Sequence, residues 1–109
     1  MKKFIVLILM LISFMSYSTE KNKNVQYFNV SGKITDISSK ETLVGVEVII
    51  KNTNIKSYSD LDGNFYINDL PKGDYELQIN YISYNGKKEY LKIDNNKNIK
   101  IELNELLLH

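Results

Sequence analysis

From Phe28 onward the apolar residues of this chain fall at every second position, the period of a β-strand rather than a helix. Phe28, Val30 and Ile34 lie on one face, with Asn29, Ser31, Lys33 and Thr35 on the other. A polar turn over Asp36 to Glu41 follows, and then Val44, Val46, Val48 and Ile50 share a face against Glu47 and Lys51, with Ile49 apolar on the outer side. That pattern predicts a central strand. Past the polar residues Asn52 to Asn54, a short strand over Ile55 to Ser59 is turned by Asp62-Gly63 into Asn64 to Asn68, where Phe65 and Ile67 point inward. The longest alternation sets Tyr75, Leu77, Ile79 and Tyr81 against Glu76, Gln78 and Asn80, one face apolar and one wet, as in one sheet of a sandwich. Asn85-Gly86 reads as a two-residue hairpin turn at positive φ, leading into Glu89 to Ile93. After a turn at Asp94 to Asn98, Ile99, Ile101 and Leu103 alternate with Lys100, Glu102 and Asn104 in a last strand. About seven strands at near-regular spacing predict an all-β fold, an antiparallel β-sandwich.

The N-terminus departs from this pattern. Met1-Lys2-Lys3 is a short basic start, and Phe4 to Phe14 is almost unbroken apolar sequence. Its length, about a dozen residues, falls short of the roughly 20 that cross a bilayer as a helix. Ser16-Tyr17-Ser18 supplies a small-x-small cleavage pattern. Residues 1–18 therefore read as a signal peptide rather than an uncleaved anchor, 19–26 as a flexible leader, 27–105 as the sandwich and 106–109 as a C-terminal tail. Thr19 is the expected new N-terminus, and the mature chain is expected to have no transmembrane segment. The absence of cysteine excludes a lipid-modified cysteine, disulfides and thiol chemistry.

Charge narrows the partners. Removing Lys2 and Lys3 from 14 basic residues leaves 12 against 13 acidic ones, a net charge of −1. Nucleic acid and anionic membrane are held by a clustered positive field, so neither is an expected partner. All the basic residues are lysine, and with no arginine the chain has no bidentate clamp for carboxylate or phosphate.

Candidate chemistry is sparse. Asp60, Asp62 and Asn64 have the alternate spacing of calcium ligands, but counting from Asp60 the glycine comes fourth and position twelve is Pro71, so the spacing is not that of an EF-hand. A turn-forming role is the reading for Asp60, Asp62 and Gly63, with calcium in an irregular loop as the alternative. His109, the last residue, is the only histidine, which leaves no expected zinc site, no cofactor and no catalytic residues. Ser38, Ser39, Ser57 and Ser59 have no nucleophile-elbow context and no histidine to activate them. Tyr58, Tyr66, Tyr84 and Tyr90 are expected to be partly exposed; they read as ordinary strand residues of high β propensity, with Tyr75 and Tyr81 in the core, and contact residues for a glycan or peptide are the alternative.

Five short motifs run in one order along the chain: Val30-Ser31-Gly32-Lys33-Ile34, Leu43-Val44-Gly45-Val46-Glu47-Val48, Ser59-Asp60-Leu61-Asp62-Gly63-Asn64-Phe65, Leu70-Pro71-Lys72-Gly73-Asp74-Tyr75, and Tyr81-Ile82-Ser83-Tyr84. Together they resemble the carboxypeptidase-regulatory-like domain. This is a transthyretin-like (prealbumin-like) module found beside zinc carboxypeptidases and at the N-terminus of TonB-dependent outer-membrane receptors of the Bacteroidetes type. Ser83 and Lys56 stand where that family often has glycine. The resemblance implies structural roles for Gly32, Gly45, Asp60, Asp62, Gly63, Phe65, Pro71, Gly73 and Tyr75, beside the Asn85-Gly86 turn. It also implies an exported, non-catalytic module in the periplasm or at the cell surface of a Gram-negative bacterium, with an outer-membrane or periplasmic protein partner. The chain is then a stand-alone protein or a truncated receptor N-terminus, and a glycan- or peptide-binding module is the alternative function. Transthyretin-like enzymes that hydrolyse 5-hydroxyisourate use histidine and arginine, which are missing inside this chain.

Overall fold

The structure, a computed structural model, describes residues 24–107, so the expected signal peptide, the Thr19 start and His109 lie outside the described residues. Seven strands follow in chain order: β1 (Tyr27–Asp36), β2 (Glu47–Ile50), β3 (Lys56–Tyr58), β4 (Asn64–Pro71), β5 (Gly73–Asn80), β6 (Lys87–Ile93) and β7 (Lys97–Leu103). They form a three-stranded sheet in the order β4-β1-β7 and a four-stranded sheet in the order β3-β2-β5-β6. The alternation dictates which faces meet. Val30, Ile34, Phe65, Ile67, Leu70, Ile101 and Leu103 from one sheet are buried against Val48, Ile50, Leu77, Ile79 and Ile93 from the other. Cross-strand neighbours such as Val48 and Ile79, or Ile50 and Leu77, share the inner face because opposed residues on antiparallel strands point the same way. Among the described residues no helix is long and apolar enough to cross a membrane.

One seam is not antiparallel. β1 and β7 run parallel, from Val30 opposite Lys97 to Asp36 opposite Leu103. β6 ends near the start of β1, and the short turn after Ile93 sets the chain down there. The Asn29 N–H donates to Asn96 Oδ1 at 2.8 Å and marks that landing.

Three local readings of the sequence are corrected. Val44 does not join the inner face: it is 46% exposed, and Leu43 is buried in its place. Gly45 between Val44 and Val46 has φ +78°, which breaks the alternation and lets residues three apart both turn inward. β4 continues past Asn68 to Pro71, because a bulge with Asp69 at φ 57° skips one residue and returns Leu70 to the core opposite Phe28. Asn29 stabilises that bulge by accepting the Asp69 N–H at 3.0 Å. Finally, Asn85-Gly86 is not a two-residue turn. The β5–β6 pairing opens after Ile79 and Lys87, and the left-handed residue of the connection is Ser83, at φ 66°. The positive φ of this connection is thus carried by a serine, not by Asn85 or Gly86.

Candidate functional site

The signature Ser59 to Phe65 closes the end of the sandwich where β3 hands over to β4. The Ser59 hydroxyl donates to the Leu43 carbonyl at 2.6 Å and accepts the Val46 N–H at 2.9 Å. Its own backbone N–H donates to the Val46 carbonyl, and its carbonyl accepts the Gly45 N–H at 2.8 Å. Ser59 is buried and clamps the corner that Gly45 makes. Its hydroxyl is therefore committed to the frame, a role that the spacing of polar and apolar residues did not reveal.

Asp60 organises the next turn. Its Oδ1 accepts the N–H of Asp62 at 3.0 Å and of Asn64 at 2.9 Å, and the Gly63 N–H donates to the Asp60 carbonyl at 2.9 Å. This is an aspartate satisfying turn amides with its side chain. The side chain of Asp62 makes no hydrogen bond among the described residues, so the two aspartates are not equivalent. Asp60→Ala is expected to cost about 1 kcal/mol, whereas Asp62→Ala should stay within about 0.5 kcal/mol of the parent. Paired urea melts measure both, and equal losses would contradict the assignment. Among the described residues no three His, Cys, Asp or Glu side chains group as metal ligands.

Gly32 and Phe65 face each other across β1 and β4. A methyl group on Gly32 would fall on the Phe65 ring and 2.9 Å from the Ile99 carbonyl oxygen. Glycine here opens the seat for the largest fully buried side chain of the core. The Leu70 to Tyr75 motif carries the chain from one sheet to the other. Pro71 ends β4, Gly73 begins β5 beneath the Tyr75 ring, and the Tyr75 hydroxyl donates back to the Pro71 carbonyl at 2.6 Å.

A further anchor joins Asp36 and Tyr84. Asp36 is buried, its Oδ1 accepting the N–H groups of Ser38 and Ser39 at 2.8 and 2.9 Å, while Oδ2 accepts the Tyr84 hydroxyl at 2.6 Å. Tyr84 is therefore half-buried rather than an exposed contact, and its ring packs against Tyr81 with centroids 5.4 Å apart. Asp followed two residues later by serine is a turn signal in the sequence. The tyrosine 48 residues away is not. The Tyr84 hydrogen bond, with the two serine amides, holds the Asp36 carboxyl below its ordinary pKa. The same bond, burial and the carboxylate charge push Tyr84 up to about 12.

The sign of the linkage follows. Asp36 contributes stability above the ordinary carboxylate range that is lost as pH falls through its lowered pKa. Tyr84, raised in the fold, contributes stability below pH 10.0 that is lost as pH rises toward about 12. Tyr84→Phe should lower the melting temperature at pH 7 and remove this residue's share of the alkaline loss. An unchanged alkaline profile in the variant would contradict that account.

The remaining tyrosines are on the surface. Tyr58 and Tyr66 are each 57% exposed and Tyr90 is 74% exposed. The Tyr58 hydroxyl donates to Glu47 Oε2 at 3.3 Å beside an open cleft of about 400 Å³ lined by Gly45, Glu47, Tyr58, Asn80, Tyr81 and Ile82. The Tyr90 hydroxyl, and then the Lys51 ammonium 3.3 Å away, hold Glu76 below its ordinary pKa. None of these groups is arranged as a nucleophile and base.

Residues 30–108 match the profile of the CarboxypepD_reg-like domain family. The chain belongs to that family. It is also 35% identical over 75 residues to TonB-dependent receptor P3 of Formosa agariphila, an alignment covering 69% of this chain and 7% of the receptor. The chain thus matches only a small part of its relative's length. Among solved structures, a chain of a mutant type II cohesin–X-dockerin complex from Acetivibrio cellulolyticus superposes with a TM-score of 0.62 at 23% identity, covering 70% of this chain and 56% of the other. The major pilin subunit of Bacillus cereus gives 0.61 at 19% identity, covering 73% and 30%. At these identities the likeness is of fold: a two-sheet all-β sandwich. Within the CarboxypepD_reg-like domain, the motif residues Gly32, Gly45, Ser59, Asp60, Gly63, Phe65 and Tyr75 all lie in the frame described above.

Proposed function

We propose that this CarboxypepD_reg-like domain is an exported, non-catalytic protein-interaction module of the Gram-negative envelope, acting beside TonB-dependent uptake. It does so either as a free partner or as the N-terminal part of a receptor. The observation that supports this most directly is where the signature side chains go: Ser59, Asp60, Phe65 and Tyr75 are spent on the frame. What is left for recognition is the outer surface of the sheets and their edges. The receptor relative supports an envelope setting, and the expected cleavage after Ser18 delivers the domain there. Mass spectrometry of the exported chain is expected to find Thr19 at its N-terminus. An intact Met1 together with membrane retention after a carbonate wash would contradict export by cleavage.

Function is tested by incubating the purified exported chain with peptides, esters and 5-hydroxyisourate, and in parallel with solubilised envelope proteins. The expected result is no turnover above buffer and recovery of a defined protein in fixed ratio. Turnover abolished by Asp62→Ala at unchanged melting temperature, or by Asp60→Ala in a variant still folded at the assay temperature, would refute the non-catalytic reading. A second reading, glycan or peptide binding, is favoured by the cleft at Tyr58 and Tyr81, where aromatic surface lies next to the Glu47 carboxylate and the Asn80 amide. Binding of soluble glycans lost in Tyr58→Ala would select it.

A further inference from the structure

A sandwich offers its backbone to partners only at sheet edges, and the four edges here are not alike. β3 is three residues long, and its neighbourhood is bridged to β4 by the Tyr66 N–H donating to Ser57 Oγ at 3.3 Å. β4 carries the Asp69 bulge and ends in Pro71, which has no N–H to give. On β7 the Glu102 carbonyl accepts the Lys87 ammonium at 3.3 Å, and just beyond it the Asn104 carbonyl accepts the Asn85 N–H at 2.8 Å. β6 differs from β3 and β4 because its seven residues pair with β5 in unbroken register from Ile79–Lys87 to Gly73–Ile93, without a bulge or proline. β7 is as regular against β1, and β6 differs from it in having no side chain or connecting segment bound to its outward carbonyls among the described residues.

The side chains of β6 say what would pair with it. Lys88, Tyr90 and Lys92 lie on the outer face, all exposed, while Glu89 is engaged by Lys87 at 3.5 Å. Lys88 and Lys92 have no ion-pair partner among the described residues. A second copy is disfavoured in the pairing of fullest overlap, centred on Tyr90, because Lys88 of one chain would then sit opposite Lys92 of the other, and like charges directly opposed destabilise a ladder. A strand with acidic residues at both of those positions and an apolar residue between them gains at all three: two opposite-charge pairs, and packing on the exposed Tyr90 ring.

We infer that β6 is the docking edge of this domain and that its partner is an extended acidic segment, of the pattern acidic-x-apolar-x-acidic, added to the β3-β2-β5-β6 sheet as a fifth strand. This rests on the interaction reading above and specifies its site. The lysines then serve twice, deterring self-pairing and selecting the partner's charge. Backbone hydrogen bonds give affinity, and the alternate side chains give specificity.

The test uses the full exported chain, isotopically labelled, and a short extended peptide of threonines in which glutamates flank a central valine at alternate positions; a control peptide has lysines in place of the glutamates. The expected result is amide shifts concentrated on Lys87–Ile93, binding at least about tenfold tighter for the glutamate peptide, and weakening with added salt. The variant Lys88→Glu with Lys92→Glu, checked for an unchanged melting temperature, should reverse the preference. Equal binding of the two peptides, no binding of either, or shifts centred on the Tyr58–Tyr81 cleft or another edge would each overturn the assignment of β6. Recovery of an envelope protein despite any of those results would leave the interaction reading standing without this edge.

Discussion

Gly63→Val is expected to destabilise the domain by about 2 to 6 kcal/mol, from about 1 to 3 for strained backbone and a similar amount for overpacking. Gly63 has φ +79°, where a β-branched residue is strained. A Cβ there would also meet the Ile34 carbonyl oxygen at 2.7 Å and the Thr42 Cβ at 3.0 Å. The first contact cannot relax cheaply, because Ile34 is tied on both sides: its N–H donates to the Gly63 carbonyl at 2.8 Å and its carbonyl accepts the Leu43 N–H at 3.0 Å. Where the parent stability lies at the low end of the usual range of about 5 to 15 kcal/mol, the upper end of this loss would leave much of the population unfolded. Urea unfolding followed by tyrosine fluorescence measures it, and a loss below about 0.5 kcal/mol, the range of neutral surface changes, would contradict the account.

Phe65→Ala is expected to cost about 3 to 5 kcal/mol, the range for emptying a large aromatic site in a packed core. Phe65 is fully buried between the sheets, and the space it fills exists because position 32 has no side chain. Its neighbours are strand residues whose backbones are fixed by pairing on both sides of β1, so the site has little freedom to collapse. Phe65→Leu should cost less, since it leaves a smaller cavity. Equal destabilisation by alanine and leucine would indicate that the ring, rather than the filled volume, is what matters.

Apart from β3, the strands were legible because each buries residues on one face. Leu77 and Ile79, or Ile101 and Leu103, alternate with polar neighbours so regularly that the inner face can be read from the chain. What escaped was everything that interrupts the period. Gly45 hid the inward turn of Leu43, the Asp69 bulge hid Leu70's return to the core, and Ser83 took the left-handed position where Asn85-Gly86 promised the turn. The parallel pairing of β1 with β7 escaped for another reason, since periodicity carries no information about strand direction. In the signature, the Asp-Gly turn was legible, but the division of labour between Asp60 and Asp62 was not, because it depends on which carboxylate reaches the amides two and four residues on. The Ser59 clamp and the Asp36–Tyr84 bond join residues distant in sequence, and neither partner announces the other.

The claim that this domain works by binding a protein through its surface is tested most directly by photocrosslinking in the native cell. A benzophenone amino acid is placed in turn at Tyr58, Tyr66 and Tyr90, three exposed positions on different strands. The account predicts a discrete crosslinked species containing a second protein, strongest from position 90 beside the β6 edge. Absence of protein adducts from all three positions, in cells where the chain is folded and exported, would contradict it.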